Sequence, residues 1–231
     1  VAGNNENAAT GFYAPIVSVA AGAATLAAFG TNRLWLTADW GTSWATVPTN
    51  TNPYAGGGTN TAQDSLGGAV TAIEFSGALR VFVATATTVY HFDNSGTVAA
   101  PVWSSVATAQ RVTAGLPPNR GINDLAVVPD GTGGVYAVLG RSSTGSHVFY
   151  LAPGATSWTD CRLAVGGTVV NTPCHAAVVD PAHLETLYVA SDVGVWRGRK
   201  GGTGWTWDLY SQGLPEVAVY DPGLHAPTRL L

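Results

Sequence analysis

Short apolar runs along the chain end at a proline or a glycine-bearing turn and resume on the far side, which is how paired buried strands are punctuated. The clearest examples are INDLAVVPDGTGGVYAVLG from Ile122 and CHAAVVDPAHLETLYVASD from Cys174. Each is an apolar strand ending at proline, a short polar turn, and a second strand carrying Tyr136 or Tyr188. The frame returns in AVTAIEFSGALRVFVATA from Ala69 and in PIVSVAAGAATLAAFG from Pro15. A third short strand follows each pair (RLWLT, TVYHF, HVFYL, GVWRG), then a glycine-bearing turn and a tryptophan: Trp44, Trp103, Trp158 and Trp205. Four short strands recurring about every 50 residues predict an all-β chain of β-propeller blades, each a four-stranded antiparallel sheet.

This frame divides the chain into an N-terminal extension (1–11), a blade with a long Gly/Thr/Asn-rich loop (12–68), three further blades (69–121, 122–173, 174–216) and the first strands of an incomplete or closing blade (217–231). About four blades plus a partial one are expected to belong to a larger propeller, completed by other blades of a parent chain or by a second copy. A chain opening at Val1 and lacking methionine fits a processed protein or a piece of one.

Composition narrows the function classes. Only 10% of the 231 residues are charged and the net charge is −4, so the basic footprint of a nucleic-acid binder is missing. A hydrophobic content of 46% supports a real core. The long uncharged stretch from Asn7 to Asn32 is split by a turn at Ala21-Gly22-Ala23 into two strands, so no membrane span is expected. Cys161 and Cys174 flank the Gly166-Gly167 pair and are expected to close a local disulfide, which would place the chain in an oxidising setting, secreted or at the cell surface. The five histidines are scattered without ligand spacing, so neither a metal nor a cofactor is expected.

The strongest short motif is Thr37-Ala38-Asp39-Trp40-Gly41-Thr42-Ser43-Trp44. Here Asp39 can accept turn N–H groups, Gly41 supplies a conformation other residues avoid, and Trp44 packs between sheets. Degenerate copies precede the later tryptophans: HFDNSG retains Asp93, whereas Gly154…Trp158 and RKGGTGW have lost the aspartate. One full copy and three eroded ones in register resemble the BNR/Asp-box propeller superfamily, which includes sialidases, xyloglucanase-type glycoside hydrolases, sortilin-type receptor domains and bacterial surface proteins. TLYVASDVGVWRG and GLPEVAVYDPGLHAPTRLL look most like the C-terminal blades of bacterial BNR proteins. The resemblance runs from about Phe12 onward and implies that Thr37, Asp39, Gly41 and Trp44 form a structural turn on the face opposite any active site.

The face formed by the starts of first strands and the loops joining second to third strands is where a ligand is expected. It carries Asn32, Arg33, Arg120, Asn123, Asp124, Arg141, His175, Asp192, Glu216, Tyr220 and Asp221. Asp124, Asp192 and Asp221 are the carboxylates a glycoside hydrolase would draw on, since such enzymes work with a spaced carboxylate pair. The competing roles are structural: Asp124 holding loop backbone and Asp192 closing a turn. Arg33, Arg120 and Arg141 lack the local signatures of a sialidase arginine cluster. Trp40 and Trp207 are the tryptophans placed to act as surface platforms, while Trp35 and Trp196 are expected in the core. The leading expectation is a secreted or surface propeller segment that binds a polysaccharide or protein ligand, or serves structurally. A fragment of a polysaccharide-cleaving propeller hydrolase is the alternative.

Overall fold

A computed structural model of the chain describes residues 14–21, 24–47, 65–104, 110–118, 121–141, 145–202, 204–211, 213, 215 and 217–222. Four antiparallel sheets of four strands follow one another along the chain, and no helix occurs among the described residues. The first contains β1 (Ile16–Ala21), β2 (Ala24–Gly30), β3 (Leu34–Thr37) and β4 (Ala45–Val47). The second contains β5 (Val70–Phe75), β6 (Arg80–Thr85), β7 (Val89–Asp93) and β8 (Gln110–Arg111). The third contains β9 (Ile122–Val127), β10 (Val135–Leu139), β11 (Val148–Leu151) and β12 (Thr159–Asp160). A small hairpin, β13 (Ala164–Val165) with β14 (Thr168–Val169), precedes the fourth. That sheet contains β15 (Cys174–Val179), β16 (Thr186–Ser191), β17 (Gly194–Gly201) and β18 (Gly204–Leu209). Each sheet is a meander in sequence order, the blade arrangement that the repeat predicts.

Period-two alternation shows how the blades stack. In β6, Val81 and Val83 join a core with the first blade, while Phe82 and Ala84 join a core with the third. In β10, Val135, Ala137 and Leu139 face back, and Tyr136 and Val138 face forward. A strand covered on both faces has no polar side, so β10 is buried at every position. Three inter-blade cores result, and the chain wraps them in series.

Tryptophans seal two of these junctions. Trp158 Nε1 donates to Val112 O at 2.7 Å, and Trp207 Nε1 donates to Cys161 O at 3.1 Å, each reaching the preceding blade. Trp207 is therefore the counterpart of Trp158, and the sequence frame, which aligned Trp205, was two residues early. Trp207 is buried and cannot act as a surface platform; Trp205 lies against it and against Tyr136. Trp196 is buried, as expected, and its indole donates to Ser191 Oγ.

The disulfide expectation is corrected. Cys161 and Cys174 are free thiols in the third core, 1% and 0% exposed, each directed to a local carbonyl, Thr159 O and Thr172 O. Burial pushes both thiols up, Cys174 to about 12 and Cys161 further still, so they act as small hydrophobes. The β13–β14 hairpin, instead of a covalent bond, closes the intervening segment.

Candidate functional site

Three first strands begin with the same irregularity. Val70 pairs with Thr85 and Ala72 with Ala84, leaving Thr71 as an extra residue. Asn123 is extra between Ile122 and Asp124, and His175 between Cys174 and Ala176. Such bulges re-aim a side chain at the rim of a sheet. The sequence thus sets Thr71, Asn123 and His175 at equivalent points of three successive blades, on the face where a ligand was expected.

Asn123 is used structurally: its Nδ2 donates to Cys174 O in the next blade at 2.9 Å. Gly140 sits so close to this amide that a Cβ there would collide with it. Asp124 crosses the same junction, with Oδ2 accepting Ala177 N at 2.9 Å. Burial, opposed by the Ala177 and Leu125 N–H groups and aided by the Asp221 charge, raises its carboxyl to about 6. Glu74, on β5, is pushed to about 8 by burial and by the charge of Asp124. Sequence reasoning missed Glu74, although an acidic residue inside the apolar run AVTAIEF was a visible signal.

His175 does not bond across blades. Its Nε2 lies 2.7 Å from Asp192 Oδ1, and its ring packs on Tyr220 with centroids 4.4 Å apart. Asp192 is anchored through its own N–H to Pro173 O, and Tyr220 follows Val219, whose N–H donates to Ser191 O. Tyr220 is 68% exposed. His175, Asp192 and Tyr220 therefore form one aromatic, acidic patch.

The remaining candidates are placed as follows. Arg33 is buried in the β2–β3 loop of the first blade. Arg141 is exposed and lies against Gly121. Arg120 and Glu216 fall outside the described residues. Among the described residues, no group of three or more His, Cys, Asp or Glu could hold a metal ion.

On the opposite face, Asp39 Oδ1 accepts Thr37 Oγ1 at 2.7 Å and Ser43 N at 2.9 Å, while Oδ2 accepts Ser43 Oγ at 2.6 Å. These bonds, led by the Ser43 hydroxyl, hold its carboxyl down to about 2. Gly41 adopts φ 82° beneath Trp44. In the second blade the equivalent turn is closed by Asn94, whose Oδ1 accepts Gly96 N and Val102 N at 2.9 and 2.8 Å. Asp93, which the sequence frame took as the retained residue, instead pairs with Arg80 at 2.6 Å.

No protein-family model matches the chain, and no curated protein matches its sequence. Solved structures do match its fold. A GH74 xyloglucanase from Xanthomonas campestris is 17% identical with a TM-score of 0.50, over 80% of this chain and 28% of that one. YCF48, solved bound to D1 peptide, is 17% identical with a TM-score of 0.50, over 85% of this chain and 53% of that one. A functionally unknown protein from Desulfotomaculum acetoxidans is 16% identical with a TM-score of 0.50, over 80% and 51%. The chain therefore shares the β-propeller fold of these structures and spans about a quarter to a half of their length.

Proposed function

We propose that this chain is a propeller module of a secreted or cell-surface protein, and that it binds its ligand on the face carrying His175, Asp192 and Tyr220. One observation carries this reading: of the two leading carboxylates, Asp124 is engaged by the Ala177 N–H of the neighbouring blade and Asp192 by His175. Carboxylates fixed in this way hold blades and rings in place. An exposed tyrosine backed by a histidine, with an acceptor beside it, suits a ligand that offers a flat face and hydroxyl or amide donors, such as a polysaccharide or an extended peptide. The peptide-bound YCF48 shows that a propeller of this fold can take a peptide.

Titration of the intact chain with xyloglucan oligosaccharides and with neutral peptides, followed by calorimetry and NMR, tests the reading. His175→Ala and Tyr220→Ala should each weaken binding about tenfold or more without loss of fold. Unchanged affinity in both variants would remove this face as the site.

A second reading, a glycoside hydrolase fragment, is favoured by the coupling of Glu74 to Asp124. Burial and the Asp124 charge raise the Glu74 carboxyl to about 8, the direction a general acid needs. Release of reducing sugar that disappears in Glu74→Gln would establish this second reading in place of the first.

A further inference from the structure

His175 is the extra residue at the start of β15, and the aim of a bulged side chain depends on what fixes the main chain to either side of it. Both sides are gripped from the third blade. Asn123 Nδ2 donates to Cys174 O at 2.9 Å, immediately before His175, and Asp124 Oδ2 accepts Ala177 N at 2.9 Å, two residues after it. Two consecutive side chains of β9 thus bracket the bulge, one supplying a donor and the other an acceptor.

Asn123 is itself confined. Gly140 N donates to Gly121 O at 2.8 Å, which holds that backbone, and a Cβ at Gly140 would collide with the Asn123 amide. At the preceding junction the same two positions carry Thr71 and Ala72. Thr71 Oγ1 donates to Ala84 O of its own blade at 3.4 Å, and Ala72 has no polar side chain. The bracket therefore belongs to the junction that carries His175. Asp192 and Tyr220 hold the ring from the other side, at 2.7 Å and with centroids 4.4 Å apart.

We propose that Asn123 and Asp124 are positioning residues for the proposed ligand site: they fix the His175 bulge from the neighbouring blade, so the site is complete only while the third and fourth blades are docked. This inference rests on the reading of the His175 face as the ligand site. A group held by supporting hydrogen bonds keeps the geometry that binding needs without those supports touching the ligand. Coupling of this kind is reciprocal, so a ligand bound at His175 strengthens the junction between the two blades.

The test uses the intact chain, labelled with ¹⁵N and ¹³C. The native protein should show NOEs between the His175 and Tyr220 rings and slow exchange of the Ala177 amide. Asn123→Ala should abolish the ring NOEs and speed Ala177 exchange about tenfold or more, and so should Gly140→Ala, which displaces the amide but leaves Asn123 in the chain. Asp124→Leu should do the same, whereas Asp124→Asn, which keeps an acceptor for the Ala177 N–H, should preserve both signals. Asp39→Ala weakens a different blade and should leave both signals unchanged, which separates positioning from a general loss of stability. Xyloglucan oligosaccharides and neutral peptides are then titrated. A probe that binds the native protein should slow Ala177 exchange and bind Asn123→Ala about tenfold or more weakly. Ring NOEs and slow exchange that survive in both Asn123→Ala and Gly140→Ala would overturn the proposal, as would a probe that shifts Tyr220 with Ala177 exchange unchanged. If no probe binds the native protein, the reading of this face as a ligand site fails, while the ring signals alone still decide whether Asn123 and Asp124 position His175.

Discussion

Asp39 and Asp124 both accept backbone N–H groups, yet their carboxyls move in opposite directions, one held down to about 2 and the other raised to about 6. Asp39 sits in an exposed turn, where hydroxyl and amide donors act on a hydrated carboxylate. Asp124 is packed between inner strands, where burial outweighs the same kind of bond, and Asp221 adds like charge. A hydrogen bond to backbone therefore does not fix the sign of a shift; the surrounding dielectric does. The two regions acquire opposite pH signatures. Folded Glu74 and Asp124 hold protons more tightly than when unfolded, so their contribution to stability is full below the ordinary carboxyl values and is lost as pH rises through about 6 and about 8. Asp39 contributes above its ordinary value of 3.8, and that contribution is lost as pH falls through about 2.

Breaking the inner-strand side should have the largest effect. Asp124→Ala orphans the Ala177 N–H at a blade junction and should cost roughly 2 kcal/mol in chemical denaturation at pH 5. Glu74→Gln removes an uncomfortable charge, so it should gain roughly 1 kcal/mol at pH 8, little at pH 4, and flatten the loss of stability with rising pH. An unchanged slope would show that Glu74 ionises freely. On the turn side, Asp39→Ala should lower Tm by a few degrees at pH 7, a deficit that shrinks towards pH 2 as the native aspartate itself protonates. The smallest effect belongs to Trp40→Gly, which relieves the left-handed backbone and should raise stability by at most about 0.5 kcal/mol. A clear loss of stability there would mean that Trp40 packs in solution.

The blades were legible because strands covered on both faces leave a distinctive record: β6 and β10 read as continuous apolar runs between glycine and proline turns. The turn of Asp39 was equally plain, since its residues bond to one another within one short segment. Errors arose where identity depends on a neighbouring sheet. Trp205 and Trp207 have the same spacing pattern along β18, and only the Cys161 carbonyl of the preceding blade distinguishes them. Asp93 and Asn94 are likewise adjacent, and their roles are assigned by Arg80 from β6 and by the turn that Asn94 closes. Cys161 and Cys174 looked like a pair because their spacing suits a loop, but each thiol is directed to the carbonyl two residues before it. On the face where a ligand was expected, candidates were placed by position along each blade, and His175, Asp192 and Tyr220 meet. Their partition into blade ties and free surface required register, including bulges that the sequence does not announce.

The serial wrapping of the cores has a consequence for how the molecule comes apart. Each described sheet buries its faces only against the blades next to it, so its opening need not disturb sheets further along. Among the described residues, the second and third blades are clamped from both sides. Amide exchange should therefore be graded, slowest in β6 and β10, whose side chains enter the cores on both sides of their blades.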